Sequence, residues 1–168
     1  MEEKVDNKVE KPTAFIITDI QKQSESYLAY ARNRVQTLSS HDFKSWMINN
    51  TGKIVLGATG WFINKYTSEN TVTFNSAINE DSFMVNGTDY RDLIPYAIEH
   101  EVQESLSRIL TRKGVVQTPD AHSIGMMKEF ELAAKDGKQN RLYNFLQLIA
   151  PKRKSEYQPA YDKVSIAH

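Results

Sequence analysis

The sequence predicts an α+β domain: N-terminal helices, a small three- to four-stranded antiparallel sheet, then a C-terminal helical hairpin and one further helix. Three observations predict it. Apolar residues recur at three- and four-residue spacing up to Asn50 and again from Leu93, they recur at spacing two between Lys53 and Val85, and strand and helix signals do not alternate as they would in a doubly wound sheet.

Residues 1–12, MEEKVDNKVEKP, alternate charges and end in proline, which is the pattern of a flexible arm ahead of a single globular unit over 13–150. The first helix is expected to begin near Thr13 and to run long, because Ile16, Ile17, Ile20, Tyr27, Leu28, Ala31, Val35 and Leu38 fall on one helical face. Ser40 can cap a short second helix, with Asp42 in its first turn, that passes Phe43, Trp46 and Met47 and stops at Gly52.

The next segment changes period. Ile54 and Leu56, Trp61 and Ile63, Val72 and Phe74, and Phe83 and Val85 make short apolar or alternating runs separated by turn residues, and Asn86-Gly87 closes the region.

Helix returns at Leu93, with Asp92 as expected cap and Pro95 in the first turn, where its missing N–H has no intrahelical partner to lose. It runs to Arg112-Lys113, and Gly114 can end it in the left-handed conformation. After a loop of about five residues, Thr118-Pro119-Asp120 combines a cap, a first-turn proline and a first-turn acid. That helix should end near Asp136-Gly137, and another should cover Leu142 to Ile149 before Pro151. Residues 151–168 lack a clear period and read as a basic, polar surface tail.

Composition narrows function by exclusion. The 168 residues contain no cysteine, which removes disulfide scaffolds, thiolate zinc sites and cysteine nucleophiles, and is what a cytoplasmic protein would show. The 21 basic residues balance 21 acidic ones, so nothing drives the chain toward nucleic acid or an anionic membrane. No apolar run approaches the roughly 20 residues that span a bilayer. The basic Lys152-Arg153-Lys154, with Tyr157 and Tyr161 nearby, reads as a helix-end complement before it reads as a nucleic-acid contact. No G-x-S-x-G elbow frames a serine, and Gly57 to Gly60 is too short for a phosphate loop.

One segment carries chemistry. His100-Glu101-Val102-Gln103-Glu104 places imidazole and carboxylate one helical turn apart, an ordinary ligand pair for a divalent metal, with Glu101 to the side as a candidate general base. The apolar stripe of Ile94, Ile98, Val102 and Ile109 lies nearly opposite His100 and Glu104, but Leu93, Tyr96 and Ala97 accompany that polar pair. Both faces of the helix should therefore be partly buried, and the pair must find a partner.

A third ligand must come from the following helix. If the two helices are antiparallel across a short loop, Glu104 faces Met127 to Glu129, which makes Glu129 the expected third ligand and His122 a reserve nearer the loop. Such a hard site would accept zinc, manganese or iron.

The stretch resembles the zinc-binding helix of zincin-type metallopeptidases over these five residues, with a glutamate where that family has its second histidine. The resemblance implies metal ligation by His100 and activation of a metal-bound water by Glu101.

Two functions thus stand open. Charged residues at four-residue spacing ordinarily form solvated helix surface, so the sequence alone favours a non-catalytic binding or regulatory domain acting through a protein partner. The alternative is a metal-dependent hydrolase built on His100, Glu101, Glu104 and Glu129 or His122.

Overall fold

The computed structural model describes residues 14–116 and 120–166. The expected arm over 1–12, and Thr118 and Pro119 of the expected helix start, lie outside them. The fold is α+β, as the periodicities predict, with three corrections of arrangement.

The first correction falls on the long N-terminal helix, which is replaced by strand β1 (Phe15–Ile16), helix α1 (Ser24–Arg32) and strand β2 (Val35–Leu38). The Gln23 side chain accepts from the backbone N–H of Thr18 and Asp19 and donates to the carbonyl of Ile16, so it folds residues 16–23 into a turn. Past α1, Arg34 donates to the Phe74 carbonyl and to Asn75 Oδ1, which ties the chain to the sheet. Ile17, Ile20, Tyr27, Leu28 and Ala31 still share one apolar cluster. Helical spacing therefore picked out these five buried residues but not the element, and Ile16, expected on the same face, is 67% exposed.

Helix α2 (Ser40–Thr51) is capped by Ser39 rather than Ser40, its hydroxyl accepting from the N–H of Asp42, and it ends at Gly52 with φ of 72° as expected. Strands β3 (Gly60–Ser68) and β4 (Thr71–Asn79) form an antiparallel hairpin. The Ile54 and Leu56 run is loop, with Leu56 89% exposed.

The second correction concerns the sheet, which is mixed. Strand β4 pairs antiparallel with β1 and β3 but parallel with β2. A parallel pair needs a long crossover, and α2 with β3 supplies it. Phe83 ends a 3₁₀ turn, and β5 (Met84–Val85) pairs with β6 (Thr88–Asp89) across Asn86-Gly87, whose φ values of 50° and 80° are those of a type I′ hairpin.

Helix α3 (Ile94–Arg112) is entered through a 3₁₀ turn. Asp92 does not cap it but pairs with Arg141 and Lys138. Helix α4 (Ala121–Lys135) is capped by Asp120, which accepts from the N–H of Ser123, and α5 (Gln139–Ile149) follows.

The third correction is the tail. Residues 154–166 form helix α6 (Lys154–Ile166), with Tyr157, Ala160 and Val164 buried at helical spacing, so the globular unit continues past residue 150. Pro159 obscured this pattern, because a proline inside a helix removes one backbone bond. It is tolerated because Pro159 and Ser155, whose carbonyl loses its partner, are both exposed.

The core is built around α3. One side of α3 packs Tyr96 with Met126, Phe130, Phe145 and Tyr157 from the C-terminal helices, and the other packs Val102, Leu106 and Ile109 with Tyr27, Val72 and Phe74. This is the two-faced burial that the sequence predicts. A buried polar chain fixes α3 between its neighbours: Tyr27 donates to Ser105 Oγ at 2.6 Å, and Ser105 donates to Asn64 Oδ1 at 2.7 Å. No helix among the described residues is long and apolar enough to cross a membrane.

Val102 has no exposed surface and sits among apolar side chains. Val102→Asp should therefore lose about 3–5 kcal/mol, the cost of an unpaired buried carboxylate, measured as the shift in urea midpoint. An unshifted midpoint would show that this face of α3 is not the core.

Candidate metal centre

Gly125 determines how α4 meets α3. A Cβ on it would stand 2.8 Å from the His100 carbonyl oxygen and 3.2 Å from Glu104 Cβ, so the two backbones approach more closely than any other residue would allow. His122 precedes Gly125 by three positions and Glu129 follows it by four, which puts both on the face turned toward α3. The helices run antiparallel, with His122 beside Glu104, Glu129 beside His100, and Tyr96 donating to Asp136.

Three potential ligand atoms converge there. His100 Nε2 lies 3.2 Å from His122 Nδ1 and 3.4 Å from Glu104 Oε1, and His122 Nδ1 lies 3.0 Å from the same oxygen. Bonds of about 2.0–2.1 Å to a tetrahedral ion place neighbouring ligands about 3.3–3.4 Å apart, and an octahedral ion places them about 3.0 Å apart. The triangle thus has the size that a single divalent ion requires. His100 and Glu104 are buried, and His122 is partly so.

The outer atoms of these groups are also held. His100 Nδ1–H donates to Glu129 Oε1 at 2.9 Å, which orients the ring and turns Nε2 toward Glu104 and His122. Arg108, one turn beyond Glu104, donates from Nε and Nη2 to Glu104 Oε2 at 3.2 and 3.1 Å. His122 Nε2 lies 3.3 Å from Glu156 Oε1 of α6, though off the line of a hydrogen bond.

Electrostatics divides the carboxylates into two kinds. For Glu104, burial favours the neutral form, but hydrogen bonds from His100 and His122 outweigh it and hold the group far below the usual carboxylate range. For Glu101, burial dominates and pushes the carboxyl up to about 7, with the charges of Glu104 and Glu129 adding to it and that of His100 opposing. Glu101 has no hydrogen bond or ion pair among the described residues. Its carboxylate faces Gly60 of β3, where a Cβ would come within 2.9 Å of Oε1. Burial would strip the His100 ring of its proton, yet the acceptors Glu104 and Glu129 raise it to about 10. The site therefore attracts positive charge.

All these groups line one cavity of about 940 Å³, between β3, α3 and the C-terminal helices. Its wall includes Tyr157 of α6, whose buried hydroxyl has no partner among the described residues.

The structure thus brings together every residue that the sequence singled out, but in a different order. Glu129 stands behind His100 rather than at the third corner, and His122 takes that corner. The order differs because the connection spans residues 113–120 rather than about five residues, so α4 starts farther back along α3. Arg108 was legible as a glutamate–arginine pair at four-residue spacing. Glu156 was not, because its helix was read as tail.

No family model, curated protein or solved structure matches this chain.

Two opposed effects meet at Gly125. Alanine gains about 1 kcal/mol in helix propensity, whereas overpacking against a backbone carbonyl costs about 1–3 kcal/mol. Gly125→Ala should be net destabilised by up to about 2 kcal/mol in urea unfolding. A stabilised variant would show that the contact between α3 and α4 is slack.

Proposed function

We propose that the chain is a metal-dependent hydrolase in which His100 Nε2, Glu104 Oε1 and His122 Nδ1 hold one divalent ion and Glu101 is the general base. The observation that carries this reading is the triangle of ligand atoms, with sides of 3.0, 3.2 and 3.4 Å, at the wall of a large cavity. Three protein ligands leave at least one position for water or substrate, as catalytic sites require. The ion would supply Lewis acidity and lower the pKa of a bound water.

The surrounding residues fit these roles. Glu129 orients His100, and Arg108 keeps one oxygen of Glu104 occupied so that the other faces the ion. Glu101 lies one position from a ligand, borders the same cavity and has no partner among the described residues, which suits a group that accepts a proton from water.

Two histidines and a carboxylate are also the ligand set of iron(II) oxygenases. The unpaired Glu101 favours hydrolysis, since oxygen chemistry needs no such base. The large cavity bordered by the triangle favours this reading over a non-catalytic binding domain, in which the polar pair would only fix helix packing.

Metal content and rate separate these readings. Protein purified without chelator should carry about one equivalent of zinc or manganese by elemental analysis. Zinc at about a hundred times its dissociation constant should raise the melting temperature of the stripped protein by about 5–10 °C. His100→Ala and His122→Ala should lose the metal. Glu101→Gln should keep both metal and fold while hydrolysis of a simple ester such as p-nitrophenyl acetate falls by about 10²–10⁴. Wild type that neither binds an ion nor responds to chelator would overturn the hydrolase and leave a packing cluster. Iron in place of zinc would favour the oxygenase.

A further inference from the structure

We infer that Arg112 forms a subsite for an anionic group of the substrate, about 12 Å along α3 from the metal ligand Glu104. This rests on the metal-dependent reading of the site. His100, Glu104, Arg108 and Arg112 succeed one another at four-residue spacing, so one line of α3 runs from the ligands along the cavity wall.

Strand β3 faces that line. The Arg108 guanidinium lies 5.8 Å from the centre of the Phe62 ring, and that of Arg112 lies 3.7 Å from the centre of the Tyr66 ring.

Three arginines line the cavity, and their partners differ. Arg108 is paired with Glu104, and Arg153 is paired with Glu156. Arg112 has no carboxylate partner among the described residues; the contact that holds it is the face of Tyr66. Stacking restrains the side chain without using its N–H donors, which remain in the guanidinium plane for a two-pronged bond to a carboxylate or phosphate. Because the restraint exists before binding, less side-chain freedom is lost when an anion arrives.

The cavity is thus polarised along its length. One end offers a metal beside carboxylates that repel free anions, and the other offers a fixed positive charge. The substrate class that fits is an extended molecule with a hydrolysable bond at one end and a carboxylate or phosphate about 12 Å away.

Straight-chain hydroxamates, which chelate the ion through one end, test this with the zinc-loaded protein. Three probes are compared by calorimetry, each with a chain cut to span about 12 Å, ending in methyl, carboxylate or phosphonate. A charged end should bind wild type about tenfold more tightly than methyl, and the tighter of the two identifies the anion. Arg112→Gln should abolish that advantage while leaving the methyl probe unchanged and lowering the melting temperature by no more than about 4 °C, the loss of one exposed cation–π contact. If the methyl probe binds and a charged end adds nothing, or if the advantage survives in Arg112→Gln, the subsite is overturned and Arg112 only complements the C-terminal dipole of α3. If no probe binds the protein after zinc is supplied, the metal reading fails and the subsite fails with it.

Discussion

The approach of α4 to α3 at Gly125 is the constraint on which the rest of the site depends. Two helices can bury several polar side chains between them only if each finds a partner, because an unsatisfied charge there would cost more than the packing returns. Here the groups form a chain: Glu129 accepts from His100, His100 and His122 converge on one oxygen of Glu104, and Arg108 occupies the other oxygen. The chain closes only when the helices are close enough for short side chains to meet. A side chain at residue 125 would press on the His100 carbonyl and pull the corners of the triangle apart.

Other elements keep α3 at the right rotation and supply walls. The Tyr27–Ser105–Asn64 chain pins the helix between α1 and β3, so that Glu101 meets Gly60 while Val102 enters the apolar core. Helix α6 closes the cavity from the opposite side with Glu156 and Tyr157. Each residue of the triangle lies on a helix held by packing rather than on a loop, which is what a pre-organised site requires.

The two glutamates one turn apart show how environment divides labour between like groups. Glu104, bonded by two imidazoles and an arginine, stays charged, whereas Glu101, half-buried and without a partner among the described residues, is pushed up to about 7 and suits proton transfer near neutrality. Position within the motif does not create this difference. It comes from what surrounds each carboxylate: donors from α3 and α4 around one, and the strand at Gly60 beside the other.

What the sequence determined by itself were the local features: helices α2 to α5 near their observed places, the Asn86-Gly87 hairpin, the end of α2 at Gly52, a left-handed Gly114 after α3, and the two-faced burial that marked His100 and Glu104. These follow from periodicity and turn chemistry, which act over a few residues. Tertiary structure decided the rest. Apolar residues at helical spacing came from the turn after β1, from α1 and from β2, because one core can accept Ile17, Ile20, Tyr27, Leu28, Ala31 and Val35 from a turn, a helix and a strand. The direction of β2 depended on a crossover many residues long, and α6 formed around a proline because apolar neighbours awaited Tyr157 and Val164. The choice of His122 over Glu129 for the third corner turned on the length of one connection and on a missing methyl group at Gly125. Local pattern cannot encode such a choice, since a shift of one helical turn changes which side chains meet while leaving the pattern of each helix intact.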